Sequence, residues 1–227
     1  MHPRFQFLLL LALSCTLSAC TSGSSAILRT LQNVLPSKGN ELPATLNPNV
    51  RFLRLVIDGR VGLIALGYID EDERSNGHAI DVWYSSQKEV IRLSDGRVVG
   101  AVGLADEWRK VTIVGAPRWE DMARTDQAVT FKRTRDVMPG YRYGLEDTLH
   151  LQRIAAPNDS NLAAINARTL TWFEETMPAA NNALPKARYA VDLRNAPAQV
   201  VYGEQCLTQT LCFGWQKWPV AQPQVAP

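Results

Sequence analysis

Few residues in this chain have the type and spacing for acid–base or covalent chemistry. Glu146-Asp147 and Glu174-Glu175 are carboxylate pairs of the kind a glycosidase uses. That chemistry needs two carboxyl groups flanking one bond, and neighbours on a strand point to opposite faces. Neither pair can therefore act by itself, and both read as solvated surface. His150 alternates with Leu149 and Leu151 and reads as solvent-facing or singly hydrogen-bonded rather than as a proton shuttle. Past the N-terminal segment the only histidines are His78 and His150, neither with a second ligand nearby in sequence, so no zinc site is expected. The run Asp70 to Gly77 begins like a calcium loop, but Arg74 holds the fifth position and Ser75 the sixth, where glycine is required. It reads as a solvated hairpin tip. Gly-x-Ser-x-Gly, His-Glu-x-x-His and a phosphate-binding glycine loop are all missing. The expectation is a non-enzyme with no catalytic residues, no cofactor and no metal.

The remaining chemistry belongs to cysteine. Of the four, Cys15 and Cys20 lie near the start and Cys206 and Cys212 near the end. The start has one cation, Arg4, then an apolar run from Phe5 to Leu13 broken only by Gln6, then the small pair Ser18-Ala19. This is the layout of a secretory signal, too short to span a bilayer as a helix. Leu17-Ser18-Ala19-Cys20 resembles the lipobox of bacterial lipoproteins. That resemblance implies a thioether-linked diacylglycerol on Cys20, cleavage before it and acylation of the freed amine, which anchors the chain to a membrane. Residues after the cysteine are Thr21 and Ser22; lack of an aspartate there implies, by analogy, the outer membrane, with the protein on its periplasmic face. With Cys15 removed and Cys20 lipidated, Cys206 and Cys212 remain as an even pair in an oxidising compartment, which reads as a disulfide. Their spacing does not suit a redox Cys-x-x-Cys.

Composition sets the frame for these residues. The chain has 227 residues with 46% apolar and 20% charged, ordinary values for a globular protein with its own core. The net charge of +2 falls to +1 once Arg4 leaves, which gives no footprint for nucleic acid. Arginine supplies 18 of the 24 cations, which would suit an acidic polysaccharide, but the arginines are scattered and read better as base composition.

The elements that must position everything are short strands. Ile27, Leu31, Val34 and Leu35 recur at helical spacing, predicting a short helix over Ser24 to Leu35, followed by a linker with Pro36, Pro43 and Pro48. From Val50 onward the pattern is β. Arg51 to Ile57 and Arg60 to Leu66 flank Asp58-Gly59, the strongest short hairpin signal. Both faces of that hairpin are apolar, so it should be central or covered on both sides. Ala79 to Tyr84, Glu89 to Leu93 and Arg97 to Val102 follow, the last two around Asp95-Gly96. Arg109 to Gly115, Gln127 to Arg133, Thr148 to Ile154, Arg168 to Glu175, Ala187 to Leu193, Gln199 to Tyr202 and Cys212 to Trp218 complete the series, with a possible short helix over Asp159 to Ala167. The predicted fold is mainly β, an antiparallel meander curled into a half-barrel or sandwich with few helices. The domain reading is 1–19 signal, 20–49 anchored tether, 50–219 single β-rich domain and 220–227 flexible tail. Of the tryptophans, Trp83 and Trp172 read as core; Trp215 and Trp218 are open between core and sugar-stacking rim.

Trp83-Tyr84-Ser85, Glu89 to Leu93 and Asp95-Gly96-Arg97-Val98-Val99-Gly100-Ala101-Val102-Gly103-Leu104 resemble the YjbF/GfcB family, outer-membrane lipoproteins of group four capsule and other exopolysaccharide gene clusters. Tyr189-Ala190-Val191-Asp192 and Gln199 to Gln205 look like its closing strands. The resemblance implies a non-enzymatic accessory in polysaccharide export or assembly, with polysaccharide or export-machinery proteins as partners. The alternative is an acyl-chain carrier like a lipoprotein-localisation receptor, which would need an apolar cavity inside the curled sheet.

Overall fold

The computed structural model describes residues 42, 46–71, 79–178, 183–194 and 196–220. Cys20, the expected helix over Ser24 to Leu35, most of the acidic loop up to Gly77 and the tail beyond Val220 lie outside the described residues. Among the described residues twelve strands run in order: β1 (Phe52–Ile57), β2 (Arg60–Asp70), β3 (Ile80–Tyr84), β4 (Val90–Ser94), β5 (Arg97–Val102), β6 (Glu107–Val114), β7 (Val129–Met138), β8 (Arg142–Ile154), β9 (Thr171–Thr176), β10 (Ala187–Asp192), β11 (Gln199–Cys206) and β12 (Cys212–Trp218). Each pairs antiparallel with its neighbours in sequence, and β1 pairs with β12, so the sheet is a closed barrel. The half-barrel or sandwich expectation is thereby corrected.

Closure has a local cause and a distant one. Five ladders shift register, at Leu66/Tyr68, Arg92/Leu93, Trp108/Lys110, Arg135/Val137 and Ala190/Val191, and such bulges bend a sheet and increase its twist. The bend brings β12 back to β1 in a ladder from Phe52↔Trp218 to Val56↔Gly214, which removes both free edges. Both Asp-Gly turns form as hairpin corners with positive φ at each residue, 49° and 73° at Asp58-Gly59 and 47° and 77° at Asp95-Gly96.

Alternation sends one residue in two to the interior. Leu53, Leu55, Trp83, Leu93, Trp108, Phe131, Leu149, Phe173, Val191, Phe213 and Trp215 form one apolar core there. Outward residues of β7 and β8, such as Lys132, Thr134, Glu146 and His150, are polar, the reverse of the apolar outer band by which a barrel meets lipid. No helix among the described residues is long and apolar enough to cross a membrane.

Among the described residues helix is nearly absent. One four-residue helix, α1 (Trp119–Met122), sits in the connection between β6 and β7 and drives Trp119 and Met122 into the barrel core. The segment read as a short helix, Asp159 to Ala167, is irregular instead, ending in a single 3-10 turn at Ala167–Thr169. Its backbone bonds to barrel side chains rather than to itself. Asn161 N donates to Tyr202 Oη at 2.8 Å, and Gln216 clasps Ala163 through Oε1 and Nε2 at 2.9 and 2.8 Å. The strap so held covers Trp172, Ala190 and Tyr202 on the outer wall.

Candidate functional site

Two groups of polar side chains face the barrel interior, and they differ in how they are used. The first is a belt around the middle. Arg97 Nε donates to Glu175 Oε1 at 2.6 Å, and its guanidinium lies 4.0 Å from the centre of the Trp119 ring. Tyr189 Oη donates to Gln205 Oε1 at 3.0 Å and lies 3.3 Å from Glu175 Oε2. Val98 N also donates to Gln205 Oε1, at 3.2 Å. One strand pair further on, Arg133 and Arg135 close on Asp147. Arg133 Nε and Arg135 Nε donate to Oδ2 at 2.8 and 2.5 Å, and a second Arg135 nitrogen reaches Oδ1 at 2.8 Å. Both guanidiniums flank the Trp108 ring, at 4.8 and 4.9 Å.

Asp147 is held as the ion. Burial opposes the charge on Asp147, but hydrogen bonds and charge from Arg135 and Arg133 win and lower its pKa below the ordinary value. Burial first, and then the neighbouring Glu175, push the Tyr189 phenol well above its usual range. A glycosidic acid needs a raised carboxyl pKa and access to substrate. Asp147 has the opposite shift, and Asp147 and Glu175 are each only 3% exposed. The belt's chemistry is to join β5 to β9 and β7 to β8 by charge, and β10 and β11 to them by hydrogen bonds from Tyr189 and to Gln205. The reading of both carboxylate pairs as solvated surface holds for Glu146, which is exposed, and only in part for Glu174, which is half-buried and meets Lys186 Nζ at 2.9 Å. It fails for Asp147 and Glu175. Strand alternation turns one member of each pair inward, and arginines on neighbouring strands compensate it. The available signal was Arg133-x-Arg135, two like charges placed on the same inward row as Phe131.

The second group lines the barrel mouth at the end where β1 begins and β12 finishes. A cavity of about 110 Å³ lies there among Leu53, Leu93, Val200, Trp83 and Trp215, with Asp81, Asp95, Gln199 and Lys217 around it. Asp95-Gly96 at the β4–β5 corner forms one wall, and a Cβ on Gly96 would stand 2.4 Å from the Val200 side chain, so only glycine allows that approach. Trp215 is seated by a second glycine: a Cβ on Gly203 would come within 2.8 Å of the indole. Beside the cavity, α1 closes part of the mouth, with Glu120 Oε1 accepting from Ala198 N at 2.8 Å and Trp119 Nε1 donating to Asp95 O at 3.2 Å.

The other sequence-marked residues are dispersed. Cys206 and Cys212 are bonded to each other at the far end, across the β11–β12 corner. His150 is half-buried on the outer wall, its Nδ1 3.1 Å from Thr130 Oγ1. Trp83 is core as read; Trp172 is buried too, but outside the barrel and beneath the strap. Trp215 joins the core at 1% exposure, whereas Trp218 stays half-exposed. Among the described residues no group of His, Cys, Asp and Glu is arranged to hold a metal ion.

The crystal structure of the hypothetical lipoprotein YmcC from Escherichia coli (K12) has a similar fold, with a TM-score of 0.57 at 16% identity, covering 91% of this chain and 100% of that one. No curated protein matches the chain. The family described as group 4 capsule polysaccharide lipoprotein gfcB, YjbF matches residues 56–207, from within β1 to just past β11. With that match spanning most of the barrel, the chain belongs to the YjbF/GfcB family of group 4 capsule polysaccharide lipoproteins.

Proposed function

We propose that this protein is a non-enzymatic accessory of capsule or exopolysaccharide export or assembly, held on the periplasmic face of the outer membrane by lipid on Cys20. The family match over the barrel is the observation that carries this reading. Two features of the interior support it. The inward carboxylates are consumed by arginines, which leaves the belt without a group for bond cleavage. The core is also packed: Trp83, Trp108, Trp119 and Trp215 are buried in the space in which an acyl chain would lie, and two cavities beside them measure about 10 and 110 Å³. Lipid-sized ligands take clefts of roughly 300–1,000 Å³. An acyl-carrier role therefore has less support than a role for the surface and the mouth.

A clean deletion scored for surface polysaccharide and for lipoprotein sorting tests the reading. The expected result is loss of surface polysaccharide with normal sorting. Normal polysaccharide with missorted lipoproteins would transfer the function to the carrier class.

A further inference from the structure

The mouth cavity gathers acid, cation and indole groups around open space, where the belt packs the same groups against one another. Asp81 on β3 and Lys217 on β12 face it at the rim, and two residues deeper on the same strands stand Trp83 and Trp215. Gln199 adds an amide from one adjoining corner, and Asp95, which also meets an Arg97 nitrogen at 3.4 Å, adds negative charge from the other. Both of these indoles have a buried Nε1–H that meets no acceptor in the protein. The indoles of Trp108, Trp119 and Trp172 differ, donating to the carbonyls of Leu207, Asp95 and Ala167 at 3.1, 3.2 and 2.8 Å. Nearly all buried donors in proteins are paired, so two unpaired ones in one cavity wall point to a partner from outside.

The chemistry of the rim selects among partners. A cationic side chain would suit Asp81 and Asp95 but would meet Lys217 and leave both indoles without an acceptor. A carboxylate would suit Lys217 and the indoles but would face two aspartates. A polyol fits both sets, because each hydroxyl donates to a carboxylate and accepts from an ammonium or an indole. Its C–H face packs on aromatic carbon. Behind the cavity Trp119 and Arg97 fill the barrel, so a chain cannot thread through.

We propose that the barrel mouth is a binding site for a single sugar residue, entered end-on by a chain terminus or side branch of a polysaccharide. This rests on the reading of the protein as a polysaccharide accessory and gives that reading a contact point. Asp81 accepts from one hydroxyl of the ring and Lys217 donates to another.

The test uses the full-length lipoprotein in detergent, with tryptophan indoles labelled by nitrogen-15, titrated with methyl glucoside, N-acetylglucosamine and glucuronate. The expected result is a saturable shift of the Trp83 and Trp215 indole signals with at least one sugar, while those of Trp108 and Trp172 stay in place. Asp81→Asn, an isosteric change, should weaken that binding at least tenfold without lowering the melting temperature. Lys217→Gln should do the same. Absence of a saturable shift with all three sugars would overturn the site, as would equal shifts with lysine amide or acetate, or unchanged affinity in both variants. The two readings fail separately. Cells carrying an Asp81→Asn protein that no longer binds sugar but still display normal polysaccharide would remove the mouth site and leave the accessory role. Normal polysaccharide in the deletion would remove the accessory role itself.

Discussion

The belt and the mouth are built from the same residue types, arginine or lysine, aspartate or glutamate, glutamine and tryptophan, yet they sit in opposite states. In the belt each carboxylate is met by an arginine at 2.5–2.8 Å, and the cations are stacked on rings. In the mouth, Asp81 and Lys217 border a cavity, and two indole N–H groups lack acceptors. Charge paired with a carboxylate inside a barrel holds strands in place, although one Arg97 nitrogen meets no acceptor, and removing the carboxylate is costly because the arginine remains buried and charged. Charge that borders a cavity contributes little to folding and is available to a ligand. Substitutions in the two regions should therefore separate stability from binding.

The largest effect is expected in the belt. Asp147→Ala leaves Arg133 and Arg135 unpaired in the interior and should cost about 3–5 kcal/mol, read by chemical denaturation. Glu175→Ala, which strips Arg97 of its closest carboxylate, belongs in the same range. A cost below about 1 kcal/mol for both would break the comparison, since that is the value of a surface pair.

Acid should act through the same residue. Asp147 has a folded pKa below its unfolded value, so its contribution is present above the unfolded pKa and is lost as pH falls through the folded one. The stability gap between the protein and Asp147→Asn should therefore narrow below about pH 4, the ordinary carboxylate value. Denaturation curves from pH 7 down to pH 3 measure it, and a gap that widens on acidification would contradict the pairing.

Next in size is the far end. Cys206 and Cys212 are six residues apart, and closing so short a loop should contribute about 2–2.5 kcal/mol on the chain-entropy estimate. Cys206→Ser/Cys212→Ser should lose that amount and keep sugar binding. In the native protein, alkylation followed by intact mass should find neither thiol reactive until reductant is added.

What could be read in the sequence followed the range of the interactions. Each of the twelve apolar runs became a strand, and Asp58-Gly59 and Asp95-Gly96 became corners, because strand alternation and positive-φ turns are local properties. The β7–β8 hairpin is longer than its apolar pattern, extending to Met138 and back from Arg142. Its extra inward positions carry Arg135 and Asp147, which look like surface until they are seen to face each other. Closure was not legible, since Phe52↔Trp218 joins opposite ends of the domain and no local pattern carries that pairing. The strap escaped for the same reason: Tyr202 and Gln216, far along the chain, take the hydrogen bonds that a helix over Asp159 to Ala167 would have kept. Nothing in the sequence set the mouth apart, because Asp81, Asp95, Gln199 and Lys217 converge only once the barrel is closed.

The smallest change in stability is expected at the mouth, where Asp81→Asn should stay within about 0.5 kcal/mol of the parent, as surface substitutions do. That neutrality allows the most direct test of an accessory role centred on the mouth. In a deletion strain, surface polysaccharide is measured after complementation with the parent, with Asp81→Asn/Lys217→Gln and with Cys206→Ser/Cys212→Ser, all at matched protein levels. The expected result is restoration by the parent and by the cysteine variant, and failure by the mouth variant despite its native melting temperature. Full restoration by the mouth variant, or no defect in the deletion itself, would contradict it.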